Sequence, residues 1–142
     1  MLSAMKGLPK SSNNMHKNFL VTAAYLGAFS VALGAFGAHT LKEYLSQQSL
    51  TTFETAVRYQ FYHVFALAIT GILYKYFPNK KLEYAGNSFV AGIILFCGSL
   101  YLLAILGTTH FTWIGAITPL GGVFFIAGWV FLALGIRAGQ TS

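Results

Sequence analysis

Apolar residues fill four runs along the chain, at roughly 19–38, 57–77, 87–106 and 113–136, and charged residues fall almost wholly between them. Each run is close to the ~20 residues that an α-helix needs to cross the hydrocarbon of a bilayer. The runs are apolar all round and do not alternate with period two, which argues against the strands of a membrane barrel. The pattern predicts an all-α integral membrane protein, a four-transmembrane-helix bundle occupying 19–137. A basic tail rich in Ser and Asn precedes it at 1–18 and is expected to be disordered, and a short C-terminal tail follows at 138–142.

Composition and charge sharpen this reading. Hydrophobic residues make up 56% of the 142 positions and charged residues 8%, where a soluble domain carries about a quarter charged. A water-soluble core of this size could not cover so much apolar surface. The formal charge of +6 would fit a nucleic-acid surface, but its placement points elsewhere. Lys6, Lys10 and Lys17 precede the first run, Lys75, Lys80 and Lys81 separate the second from the third, and Arg137 closes the fourth. If the spans alternate, all of these share one side, leaving Lys42 and Arg58 on the other. The positive-inside rule then puts both termini in the cytoplasm of a cell with its inner (plasma) membrane, or in the matrix if the membrane is the mitochondrial inner one. The lysines are read as orienting charges beside anionic headgroups, each worth about 1 kcal/mol, and no nucleic-acid partner is expected. The first run has the basic prefix of a signal peptide, yet it exceeds the 7–15 apolar residues of such a segment. Met15 is an alternative translation start, and the single cysteine, Cys97, permits no internal disulfide.

Helices in lipid associate by close packing of small residues, because lipid tails remove the hydrophobic drive. On the first helix Ala23, Gly27, Ser30, Gly34 and Ala38 make one small stripe at helical spacing, and Ala24, Ala28, Ala32 and Ala35 make another that ends at His39. Neighbours are therefore expected on two sides of it. Ala91, Gly92, Gly98 and Ser99 form a small face on the third helix, and Gly121, Gly128 and Gly135 recur on one face of the fourth. Pro119 removes a backbone donor and should kink the fourth helix near its start. Leu41, Tyr44 and Leu45 suit a short interfacial helix. Thr51 with Glu54 matches a capping box, placing the start of the second helix near Thr52. Tyr59, Tyr62, Tyr84, Tyr101 and Trp113 suit interfacial anchors. The expected partners are the bilayer and other membrane subunits or further copies of this chain.

The polar residues with chemical potential are His39, Glu54, Arg58, Tyr59, Gln60, Tyr62 and His63, near the outer ends of the first two helices and near His110. Ionisable groups inside spans default to a functional hypothesis, weakened here by closeness to the interface. Glu54 and Arg58 stand one turn apart in the favourable order for an ion pair. Tyr59 and His63 share another face, above Ala66 and Thr70. The bland reading is a structural ion pair and a hydrogen-bonded interface histidine. A sharper one is an oligomeric proton or small-solute transporter or channel lined by His39, Glu54, Arg58 and His63. A third is a haem- or quinone-binding protein, with His39 and His63 as the axial ligands of a haem. Spacings diagnostic of zinc, a nucleotide loop or a nucleophile elbow are absent. No catalytic residue set emerges, and neither a cofactor nor a metal is expected.

The runs Gly34-Ala-Phe-Gly-Ala-His39, Phe53-Glu-Thr-Ala-Val-Arg-Tyr-Gln-Phe-Tyr-His63, Gly98-Ser-Leu-Tyr-Leu-Leu103 and Gly115-Ala-Ile-Thr-Pro-Leu-Gly-Gly122 resemble the Domain of Unknown Function 423 family. That family comprises small bacterial inner-membrane proteins and a eukaryotic relative, transmembrane protein 256. The resemblance extends from about Leu20 to Arg137 and leaves the basic tail outside. It implies a four-span inner-membrane protein and supplies no activity. His39, Phe53, Glu54, Arg58, Tyr59, Tyr62 and His63 fall in its most recognisable stretches and are the site candidates it implies, with no catalytic role attached.

Overall fold

A computed structural model describes residues 10–107 and 112–140, which are helical almost throughout. α1 runs from Lys10 to His39 and α2 from Gln47 to Tyr76, with a 3-10 turn at Leu41–Glu43 between them. α3 (Lys80–Gly92), a π-helical turn (Ile93–Cys97) and α4 (Gly98–Leu106) follow one another without a break as a third rod. α5 (Thr112–Gly139) is the fourth. Three segments, Asn14–Glu43, Lys80–Leu106 and Thr112–Gly139, are long and apolar enough to cross a membrane. α2 matches them in length at 30 residues. Its N-terminal part, however, carries Gln47, Gln48, Glu54 and Arg58, which dilute its apolar character.

The rods outrun the apolar segments that predict them. Residues 10–18, expected in a disordered tail, are the opening turns of α1. They continue the helix far enough for His16 and Phe19 to be buried, Phe19 meeting Tyr74 edge to face with ring centroids 6.3 Å apart. α2 begins before the expected capping box, because Ser46 already supplies the capping oxygen and accepts from the Ser49 amide at 3.1 Å. Thr51 lies inside the helix, its hydroxyl donating to the Gln47 carbonyl. In the connection, Leu41 and Leu45 are half-buried while Tyr44 faces out with Lys42 and Glu43.

Small residues decide how closely the rods approach. α1 lies antiparallel on α2, with Ala23 and Ser30 buried, Gly27 facing Val64 and Gly34 facing Val57. The third rod packs along α5 and against the other side of α2. Gly121, Gly128 and Gly135 are all buried, against the Phe96 backbone, the Phe89 ring and Leu82. Gly92 faces the Phe125 ring in the same seam. Two expectations need correction. Gly98 faces open space, because the π turn rotates the contact face and leaves Gly92 and Ser99 to meet α5. The second small stripe of α1, Ala24, Ala28, Ala32 and Ala35, is exposed, since α1 packs on α2 through its other face and meets the third rod near its start, where Phe19 lies on Gly86. α5 runs as one helix through Pro119, which cannot donate to the Gly115 carbonyl.

Candidate functional site

His63 is the most enclosed of the ionisable candidates. One face of α2 carries Tyr59, His63, Ala66 and Thr70, and the last three are buried. The imidazole stacks flat on Phe125, with ring centroids 3.4 Å apart and planes 6° from parallel. Phe89 and Trp129 complete its surround, with centroids at 5.9 Å and 6.1 Å. Its Nδ1 lies 2.7 Å from the Tyr59 carbonyl oxygen, which can only accept, so Nδ1 carries the proton. Nε2 then presents a lone pair and accepts from the Trp129 indole N–H at 3.2 Å. The partners thus set one neutral tautomer and use both ring nitrogens. Outside this stack lies a groove of about 510 Å³ walled by Tyr59, Tyr62, Phe96, Ile126 and Trp129, with His63 and Phe125 at its base.

Two further side-chain-to-side-chain clasps join the rods. The Tyr101 hydroxyl donates to Gln60 Oε1 at 2.8 Å, and Gln60 Nε2 donates to the Leu26 carbonyl at 3.2 Å. Ser30 donates to that same carbonyl at 2.8 Å, so one chain of bonds links α4, α2 and α1. Tyr101, expected as an interfacial anchor, turns inward to this clasp, where its ring lies 5.0 Å from that of Phe53. The second clasp sits at the end of the π turn. Ser99 donates to the Phe96 carbonyl at 2.9 Å, and the Thr118 hydroxyl, 2.6 Å from Ser99 Oγ, donates to it in turn. Thr118 immediately precedes Pro119, so the clasp fixes the third rod to α5 where both depart from regular α-helical bonding. Ser99, Tyr101, Thr118 and Trp129 were not singled out as site candidates from the sequence. Ser99, Tyr101 and Thr118 do fall within the family-like runs, whereas the one signal for Trp129 is a hydrogen-bonding group within an otherwise apolar run.

The remaining candidates are dispersed. His39 is exposed at the end of α1 and does not share a space with His63, so the paired axial ligands of a haem are not assembled. Glu54 and Arg58 are exposed and, despite their favourable spacing, form no ion pair; the salt bridge among the described residues joins Lys80 to Glu83. Instead both line a groove of about 270 Å³ between α1 and α2, with Gly34, Gly37, Phe53 and Val57. A polar path through His39, Glu54, Arg58 and His63 within one protomer is therefore not formed, because Arg58 and His63 leave α2 in different directions. No three metal-ligating side chains gather among the described residues. His110 lies outside them.

The Protein of unknown function (DUF423) family matches residues 33–122, which hold the α1–α2 groove, His63, Gln60, Tyr101 and both sides of the Ser99–Thr118 clasp. The chain belongs to the DUF423 family. A UPF0382 membrane protein of Staphylococcus haemolyticus is 41% identical over 118 residues, covering 83% of this chain and 93% of that protein. Those of Haemophilus influenzae and Bacillus subtilis are each 39% identical, over 85% and 83% of this chain and 94% of their own lengths. No solved structure matches. With its apolar rods, this DUF423 chain is a membrane protein with transmembrane helices.

Proposed function

We propose that the chain crosses the inner membrane four times, with both termini on the lysine-rich side, and is a non-catalytic accessory subunit. It docks a transmembrane helix of another membrane protein, or of its own copy, on the outer face of α1. The observation that carries this reading is the exposure of Ala24, Ala28, Ala32 and Ala35 when the glycine stripe of α5 is covered. Such a stripe lets helix backbones approach closely, which is how helices associate in lipid. A cysteine placed at Ala28 in a Cys97→Ala background tests it by cross-linking in native membranes. A cross-linked adduct, identified by mass spectrometry, is expected; a chain that stays solitary in membranes and in several mild detergents defeats the reading.

A second reading is favoured by the aromatic groove over His63, whose walls suit a flat apolar ring such as a quinone. The hydroxyls of Tyr59 and Tyr62 would bond it, since both His63 nitrogens are already used. Quenching of Trp129 fluorescence by a short-chain quinone in a Trp113→Phe background supports this reading; no saturable quenching dismisses it.

A further inference from the structure

The unpaired charges on α2 point to a lipid. We propose that the groove between α1 and α2 holds the headgroup of a phospholipid bearing a primary ammonium, with Arg58 on the phosphate and Glu54 on the ammonium. The two side chains stand four residues apart on one wall of the same groove, about 6 Å along the helix axis. Opposite charges at that spacing are within reach of each other. Here they do not pair, and both remain exposed beside an opening of about 270 Å³. A zwitterion with its charges a few ångströms apart complements such a pair, whereas a simple anion or cation would satisfy one member and repel the other.

Depth fits as well. Arg58 and Lys75 bracket the apolar part of α2 and lie 17 residues apart, a rise of about 26 Å, close to the ~30 Å thickness of the hydrocarbon. The guanidinium therefore reaches the phosphate level of the leaflet opposite the lysine-rich loops, and Glu54 stands one turn farther out. Arginine also suits phosphate geometrically, offering a planar fork of N–H donors. Gly34 and Gly37 keep the α1 wall of the groove low: a Cβ at Gly37 would press on the Phe53 ring at 3.0 Å. The carboxylate supplies the discrimination, because a primary ammonium donates hydrogen bonds to it and a quaternary one has no N–H to give.

This inference rests on α2 crossing the bilayer as proposed above, and is independent of docking on α1. Native mass spectrometry tests it on the full chain, delipidated in detergent and offered phosphatidylethanolamine, phosphatidylcholine or phosphatidylglycerol of matched acyl chains. Wild type should retain the ethanolamine lipid about three- to five-fold over the other two, the range open to exposed ion pairs. Glu54→Gln should erase that preference while keeping phosphatidylglycerol bound, and Arg58→Gln should reduce retention of all three. Lys42→Gln, at the same end of the bundle, should leave the ranking unchanged. Equal retention of the three lipids by wild type overturns the proposal, as does an unaltered ranking in Glu54→Gln or the same loss in Lys42→Gln. A chain that cross-links through Ala28 yet fails to rank lipids loses this inference alone.

Discussion

A glutamine amide in an apolar helix must find partners or bear the cost of desolvation, and Gln60 spends both ends of its amide on other rods. Gln60→Leu removes both bonds at once and strands the Tyr101 hydroxyl. Interhelical bonds of this kind in membranes are worth about 0.6–2 kcal/mol each. Gln60→Leu should therefore lower stability by ~1–3 kcal/mol in denaturant titrations in mixed micelles. Tyr101→Phe should cost about 1 kcal/mol, and the double variant less than the sum, because the two share one bond. Additive effects would show that the clasp is not a working interaction. His63 makes a complementary case. His63→Phe retains the ring stack on Phe125 but leaves the Trp129 N–H without its acceptor. Destabilisation should accompany a change in Trp129 emission, whereas Phe125→Leu should destabilise by loss of stacking, about 1 kcal/mol beyond the area lost.

At the scale of the element, glycines that look alike in sequence carry opposite expectations. A Cβ at Gly121 would run into the backbone of Phe96 in the π turn, and backbone cannot rotate aside. Gly121→Ala should cost ~1–3 kcal/mol, as overpacking of a close seam does. Gly98 faces nothing within 4 Å and has ordinary helical angles. Gly98→Ala should be neutral or stabilising by up to ~1 kcal/mol through helix propensity. Thermal unfolding of the two variants side by side separates them, and equal losses would mean that the seam is wrongly placed. The contrast shows what the sequence made legible. The seven-residue recurrence of Gly121, Gly128 and Gly135 marked one face of α5 unambiguously, and that face is buried. The π turn has no residue code, so the rotation that takes Gly98 out of the seam was invisible. Local spacing also misled at Glu54 and Arg58, because an i,i+4 relation brings side chains within reach without deciding what else competes for them. The face shared by Tyr59 and His63 was readable from helical geometry. Their partners on α5 and the third rod were not, since contacts between distant segments leave no mark in a single sequence.

For the whole molecule, the distribution of charge over the rods fixes the expected orientation. At one end of the bundle lie Lys17, Lys75, Lys80, Lys81 and Arg137; at the other lie Lys42 and Arg58, accompanied by Glu43 and Glu54. The rods alternate in direction, so the ends of α1 and α2 joined by the turn at Leu41–Glu43 face away from the lysine-rich end. α2 falls short of the apolarity of the other rods because of Gln47, Gln48, Glu54 and Arg58; in the proposed arrangement, with Arg58 and Lys75 at the two headgroup layers, its first turns would project beyond the hydrocarbon. The proposed crossing by α2 would keep these charges out of lipid. Single cysteines introduced into a Cys97→Ala chain at Asn14, Gln48 and Gln140 test this arrangement with a membrane-impermeant maleimide. In intact cells the Gln48 site should label, and the Asn14 and Gln140 sites should label only after the membrane is opened. Labelling of the Gln48 and Gln140 sites from the same side would mean that the rods do not all cross. α2 would then lie along the membrane surface, and its buried faces at His63 and Gln60 could not meet α5 and α4 across the bilayer.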